Sequence, residues 1–244
     1  MRLFTSRENV EEKYIRITDK GDIRHMVRVM RLRPGDPVDV SDGSKWEYET
    51  VIDEIFEDEV LLRIVDKQAF SREPKLRITL FQGIPKAGKM ETIIQKCVEL
   101  GVFEIVPVFM DRTVVVEKGN FGKKLERWQK ISDEAVKQCK RGIIPKVCEQ
   151  IKFSEMAKSL ADFDLVIFPY ENEENLTIKD ALRSLTKKPE TVAIIIGPEG
   201  GFSDKEAEIL TEAGTSKVTL GKTILRTETA GMAAIAMTMY ELEL

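Results

Sequence analysis

The sequence predicts an α/β protein in which a small β-barrel precedes a larger domain built on a mainly parallel sheet. Three observations carry that prediction. Residues 37–65 alternate apolar and polar side chains with a period of two, broken by Asp42-Gly43, which is the pattern of short strands joined by tight turns. From residue 76 onward, strand-like segments at 76–81, 102–109, 165–168 and 192–196, the last a β-branched run with no polar alternation, are separated by segments of helical spacing. Strands buried on both faces and alternating with helices make a parallel sheet. Between the two regimes, residues 66–74 are polar and end in proline, so the expected domains are 1–70 and 75–244.

A chain of 244 residues can bury a substantial core, and 42% hydrophobic with 33% charged residues is a globular composition. No apolar run is long enough to span a bilayer, and Met1-Arg2-Leu3-Phe4 leads straight into charges, so no membrane association is expected and a cytoplasmic location is. Cys97, Cys139 and Cys148 lack C-x-x-C spacing and are expected to be reduced and buried. With one histidine besides, no metal site is expected. The net charge of −4 counts against a nucleic-acid partner, but binding depends on where basic residues cluster.

The first such cluster comes early. Asp22 is placed to cap a helix in which Ile23, Met26, Val27 and Met30 form an apolar stripe. Arg24, His25, Arg28 and Arg31 occupy the other face, Arg33 lies just beyond, and no acid falls between Ile23 and Gly35. A solvated face would mix both signs, so this one suits a polyanion. In the barrel, Val38 and Val40 alternate with Asp39 and Ser41, residues 46–50 alternate again, and residues 60–65 return as a strand.

The second domain opens with the strand 76–81 and the turn Gly83-Ile84-Pro85, followed by a helix over 86–101. Met90, Ile93, Ile94, Cys97 and Val98 mark its inner face, and Gly101 ends it. Lys86 and Lys89 at its start either touch RNA or are simply solvated. A long helix over 121–141 turns Leu125, Trp128, Ser132, Ala135 and Cys139 inward and Lys123, Arg127, Lys130, Lys137 and Arg141 outward.

Three strand ends then converge. The strand 165–168 breaks at Pro169 into Tyr170 and Glu171. The strand 192–196 runs into Gly197-Pro198-Glu199-Gly200-Gly201, and Ser203 with Glu206 makes a capping box that opens the next helix. The strand 217–220 runs into residues 221–231, where Thr227 is placed to cap a last helix carrying Glu228 in its first turn. Loops at the carboxyl ends of parallel strands are where α/β folds bind ligands. The glycine loop has neither P-loop nor dinucleotide spacing, and Glu199 would repel a phosphate, so a cationic or uncharged ligand fits better. The last helix is apolar on nearly every side through Met232, Ala233, Ala234, Ile235, Ala236, Met237 and Met239, and must be buried in the core or against a second subunit.

I-G-P-E-G-G-F-S at 196–203 and L-G-K-T-I-L-R-T-E-T-A at 220–230 resemble blocks of the RsmE-type methyltransferases of the SPOUT class. So do K-A-G-K-M-E at 86–91 and E-A-V-K-Q-C-K-R-G-I-I-P at 134–145, and the resemblance covers nearly the whole chain. It implies a PUA-like RNA-binding barrel followed by a trefoil-knotted SPOUT domain, a homodimer, and S-adenosylmethionine-dependent methylation of uridine N3 in 16S ribosomal RNA of the small ribosomal subunit. The implied cofactor site takes Phe168, Pro169 and Tyr170 from the first loop and Ile196, Gly197, Pro198, Gly200 and Gly201 from the second. The third loop supplies Leu220, Gly221, Ile224, Leu225, Thr227 and Thr229. The basic cluster gives Arg24, Arg28 and Arg31 as RNA contacts, and Lys89, Gln138 and Arg141 join them from the blocks that resemble the family.

Uridine N3 must lose a proton as it is methylated, so a base or a strong local field is needed. Glu199 and Glu228 are the nearest carboxylates, and the base stays unassigned between them. Arg226 either stabilises the uracil oxyanion, holds a phosphate, or pairs with Glu228. Two other functions fit the same sequence: a SPOUT enzyme acting on a tRNA ribose, and a non-catalytic RNA-binding ribosome assembly factor.

Overall fold

Period-two alternation in the first unit produces five strands, β1 Arg2–Phe4, β2 Tyr14–Ile17, β3 Pro37–Ser41, β4 Trp46–Ile55 and β5 Val60–Ala69. The computed structural model describes residues 2–69, 73–115 and 121–244. Its first unit comprises Met1–Glu73 with Val136–Ile144, and its second Pro74–Ala135 with Pro145–Leu244. In the first, the strand order is β1-β3-β4-β5-β2, antiparallel except that β1 pairs parallel to β3. Leu3, Ile15, Val38, Val40, Ile52, Val60 and Leu62 close on its core with Met26. β5 runs past the expected end at Val65, because Asp66–Ala69 keep pairing with Trp46–Glu49 of β4.

The basic helix differs from its prediction. Its cap is Asp19, whose carboxylate accepts from the Asp22 N–H at 2.8 Å, and α1 spans only Lys20–Arg24. The chain continues as a π-helical turn over His25–Val29 and ends at Arg31, a non-glycine residue at φ 55°. That widened turn rotates the stripe, so Met26 is fully buried while Met30 is half exposed. Asp22 instead receives Lys137 at 2.8 Å. The segment after the long helix belongs to this unit through Glu73, whose buried carboxylate accepts from the backbone N–H groups of Gly142 and Ile143 and from the Arg141 guanidinium.

The second unit is a parallel sheet of β6 Arg77–Gly83, β7 Glu104–Phe109, β8 Lys146–Val147, β9 Ile151–Lys152, β10 Leu165–Pro169, β11 Thr191–Ile196 and β12 Ser216–Val218. The order is β12-β10-β11-β6-β7-β8, with β9 also on β7. Helices α2 Lys89–Glu99, α3 Phe121–Cys139, α4 Phe153–Ser159, α5 Ile178–Arg183, α6 Asp204–Glu212 and α7 Thr227–Leu242 complete the unit, with the end of α3 passing into the first. On one face of the sheet, Phe81, Val108, Phe168, Ile195, Phe202 and Leu210 share a core with α4 and α6. α7 packs on β6, β11, α2 and α5.

Several local expectations change here. α2 starts at Lys89, because residues 84–88 form a turn with Ala87 at φ 54°. α3 ends at Cys139, so Arg141 is no outward-facing helix residue and is only 6% exposed. Cys97 is buried, and that burial pushes its thiol well above the ordinary range, whereas Cys139 and Cys148 are half-buried. α7 buries Ala234, Ile235 and Met239 but exposes Met237 and, at 71%, Tyr240. Among the described residues no helix is long and apolar enough to cross a membrane.

Candidate active site

Parallel strands leave their carboxyl ends on one edge, and the loops after β10, β11 and β12 there enclose a cavity of about 1000 Å³. Its floor is Ile196, Gly197, Pro198 and Phe202 after β11, with Leu220 and Leu225 from the loop leading to α7. Pro169 and Tyr170 form the wall after β10, and Gly201, Gly221, Ile224 and Thr227 complete the predicted set that lines it. Three predicted residues fall outside that lining. Phe168 is fully buried and meets Phe202 edge-on at 4.7 Å, so it supports the floor, and neither Gly200 nor Thr229 lines the cavity.

The β11 loop is fixed from several sides. The Ser203 hydroxyl accepts from the Glu206 N–H and the Glu206 carboxylate accepts from the Ser203 N–H, which is the predicted capping box. Buried Glu206 also accepts from the Asp111 N–H at 2.8 Å, and Arg112 donates to the Gly200 carbonyl at 3.0 Å. Gly201 sits at φ 68°, and a Cβ there would come within 2.9 Å of the Glu171 carboxylate. A Cβ on Gly83, at the end of β6, would lie 2.5 Å from the Pro198 nitrogen. The two strand ends meet at a distance only glycine permits.

Thr227 is not the cap of α7; Arg226 holds that position without a side-chain hydrogen bond. The Thr227 hydroxyl donates to the Gly197 carbonyl at 2.6 Å and accepts from Gln82 Nε2 at 2.9 Å. It thus joins the β11 loop, the end of β6 and the start of α7.

The predicted carboxylates meet at a cation. Lys89 Nζ lies 3.1 Å from Glu199 Oε1 and 3.2 Å from Glu228 Oε2, and the Lys86 N–H donates to Glu199 at 3.0 Å. Glu199 is held below the usual carboxylate range: burial pushes it up, but hydrogen bonds from its own N–H, from Lys89 and from Lys86 outweigh that. Glu228 is lowered by its own backbone N–H first and then, against burial, by Lys89 and Arg226. Lys89 is raised by both carboxylates. Glu199, Lys89 and Arg226 line the cavity, and Glu228 flanks it through Lys89. Arg226 forms no ion pair with Glu228 among the described residues. Four acids of the wall, Glu171, Glu173, Glu174 and Glu199, face Lys89, Lys222 and Arg226. Such a wall suits a ligand carrying positive charge.

Residues 72–239 match a family described as an RNA methyltransferase domain, and residues 17–65 match an RNA methyltransferase PUA domain. The chain is 31% identical to the ribosomal RNA small subunit methyltransferase E of Bacillus subtilis, over 98% of this chain and 95% of that one. It belongs to the ribosomal RNA small subunit methyltransferase E family. Its fold is that of the family enzyme from Neisseria gonorrhoeae bound to S-adenosyl methionine, with a TM-score of 0.85, 30% identity, and 98% and 96% of the two chains covered. A putative methyltransferase from Legionella pneumophila, in complex with the same cofactor, gives 0.84 and 30%, again with 98% and 96% covered.

Within this family member, sequence reasoning missed Gly83, Gln82, Glu171 and Phe202 as parts of the site. Gly83 carried a usable signal, since a glycine ending a buried strand marks close backbone approach. Of the predicted RNA contacts, Arg24, Arg28, Arg31 and Gln138 are exposed, and those arginines form no ion pair among the described residues. Arg141 is buried against Glu73 at 2.9 Å, and the Lys89 ammonium is held between two carboxylates. Both placements depart from the predicted role.

Proposed function

We propose that this chain transfers the methyl group of S-adenosylmethionine to N3 of a uridine in 16S ribosomal RNA, acting in the cytoplasm on RNA of the small ribosomal subunit. The observation that carries this reading is the meeting of the Gly197–Gly201 loop with the Arg226–Glu228 turn in one acid-walled cavity, tied together by Thr227 and Lys89. The residues fit the cofactor. Carboxylates along the wall complement a sulfonium and an ammonium, and Ile196, Leu220, Leu225 and Phe202 give it an apolar floor. Tyr170, Gly197, Gly201, Gly221, Ile224 and Thr227 would complete its site, with Phe168 supporting it from behind and Gly200 and Thr229 beside it in the same loops. Bound there, the cofactor supplies a methyl group activated by its sulfonium sulfur.

The chain's own work is positioning and charge. Glu199 and Glu228, held anionic by Lys89, are weak bases, which shifts the burden of N3 deprotonation toward a local field. Arg226, exposed on the cavity wall, is the fixed cation able to stabilise negative charge on the uracil oxygens. Arg24, Arg28, Arg31 and Gln138 of the first unit form the RNA-contacting face in this reading. The domain limits 1–70 and 75–244 and the trefoil knot belong to the same proposal, the latter supported by the non-sequential strand order.

Nucleoside mass spectrometry of ribosomal RNA, after incubation of RNA and intact small subunits with the protein and labelled cofactor, tests the reaction. Labelled 3-methyluridine is expected. A labelled ribose methyl would instead point to the tRNA-type alternative, and cofactor binding without transfer to any RNA would leave an assembly factor.

A homodimer through α7 is part of this proposal, supported by Tyr240 and Met237 exposed on an otherwise apolar helix. Light scattering at micromolar protein should give twice the 27.8 kDa chain mass. A monomer at that concentration refutes it.

A further inference from the structure

Lys89 has a geometry that solvation does not explain and that a phosphate contact would disrupt. It stands at the first position of α2, lines the cavity, and is about 30% exposed at its side chain. Its ammonium reaches Glu199 at 3.1 Å on the β11 loop and Glu228 at 3.2 Å in the first turn of α7. Glu228 Oε2 is buried with no hydrogen-bond partner among the described residues, and the Lys89 ammonium is the one ion pair that the residue makes there, beside its own backbone N–H and the nearby Arg226. The turn before Lys89 supports the same link, because the Lys86 N–H donates to Glu199.

We propose that Lys89 is a positioning residue of the methyltransferase site, the cation that pins the β11 loop to the start of α7 and keeps two mutually repelling carboxylates side by side. The proposal rests on the reading of this cavity as the S-adenosylmethionine site. Without the ammonium, Glu199 and Glu228 face one another as like charges, and the loops that carry them move apart. The charges around them are few. Arg226 at the N-cap of α7 acts on Glu228, and Arg112 holds the β11 loop through the Gly200 carbonyl. Glu171, Glu173, Glu174 and Lys222 are the other charged residues of the cavity wall.

A proton can take the place of the ammonium, which sets the sign of the pH dependence. In the unmodified protein both carboxylates are depressed and the lysine is raised, so the cluster is intact from the carboxylate range up past neutrality. Cofactor affinity is therefore flat between pH 5 and 8. In Lys89→Met, one proton shared between the two carboxylates keeps them together near pH 5, and its loss on raising the pH separates them. Deprotonation also adds negative charge that attracts a cationic cofactor. That attraction acts from the rim, whereas the repulsion is between oxygens that had been within reach of one ammonium, so the repulsion dominates.

The experiment is calorimetric titration of S-adenosylmethionine at pH 5 and pH 8 into the full chain, Lys89→Met, Lys89→Arg and Lys89→Met with Glu228→Gln, with RNA affinity measured against salt for the first two. The expected result is flat affinity for the full chain and, for Lys89→Met, a loss of roughly tenfold or more at pH 8 relative to pH 5. Lys89→Arg restores flat affinity, and adding Glu228→Gln to Lys89→Met abolishes the pH dependence. Unchanged, flat cofactor affinity in Lys89→Met overturns the proposal, and with a salt slope lower by about one it makes Lys89 a phosphate contact instead. A full chain that binds no S-adenosylmethionine overturns the reading of the cavity itself, a failure distinguishable from the first.

Discussion

Gly83→Ala is expected to weaken S-adenosylmethionine binding by roughly tenfold to a hundredfold. A Cβ on Gly83 would sit 2.5 Å from the Pro198 nitrogen, 2.6 Å from Pro198 Cδ and 2.9 Å from the Gly197 carbonyl carbon. These are backbone and ring atoms with no flexible end to swing aside, so the β11 loop itself must move. Overpacking of this kind costs about 1–3 kcal/mol, and each 1.4 kcal/mol spent on displacing the loop is about a tenfold loss of affinity. A Cβ on Gly197 would be less crowded, 3.1 Å from the Phe202 ring and 3.2 Å from Gly201, so a bulky side chain is needed there for a comparable loss. Gly122→Ala is the control, since nothing lies within 4 Å of its Cβ position and binding should not change. Calorimetry on Gly83→Ala giving the unaltered affinity, with an unaltered melting temperature, would remove this loop from the cofactor site.

The sequence marks Gly83 as a point of close approach, but the Pro198 ring it meets lies 115 residues away and is out of reach of any local pattern. Patterns in a sequence report partners three or four residues away, which is why the Ser203–Glu206 capping box and the inner face of α2 were legible. Thr227 has the residue type and position of a cap, but its hydroxyl is taken by Gly197 and Gln82, which approach only when three elements have met. Arg141 sits in register with an outward basic face until α3 stops at Cys139 and the chain turns it toward Glu73, 68 residues away. Lys89 looks like any lysine at a helix start, because its two carboxylates lie on other elements. α4 and α5, of 7 and 6 residues, are too short to show two full turns of periodicity. The cavity was legible as three strand ends, since loops at the carboxyl edge of a parallel sheet follow from strand direction alone.

The arginines of the first unit can be separated by what each loses when truncated. Arg28→Ala with Arg31→Ala should flatten the plot of log RNA affinity against log salt by about one to two units, because each phosphate contact removed releases one fewer counterion. Cofactor affinity should stay the same. Both side chains are exposed and form no ion pair among the described residues, so the change costs little stability. Arg31 already occupies φ 55°, and alanine inherits that strain unchanged. Arg141→Ala should do the opposite. Its guanidinium and the Glu73 carboxylate are 7% and 8% exposed at 2.9 Å, and removing one member of a buried pair costs about 3–5 kcal/mol. Glu73 keeps the N–H groups of Gly142 and Ile143, which places the loss near the lower end of that range and lowers the melting temperature by roughly 6–12 °C. The salt slope should not move. A normal slope in the Arg28, Arg31 variant, joined to a lower melting temperature, would mean that this basic face holds the fold together instead of holding RNA. A reduced slope in Arg141→Ala at unchanged melting temperature would restore Arg141 to the RNA-binding set.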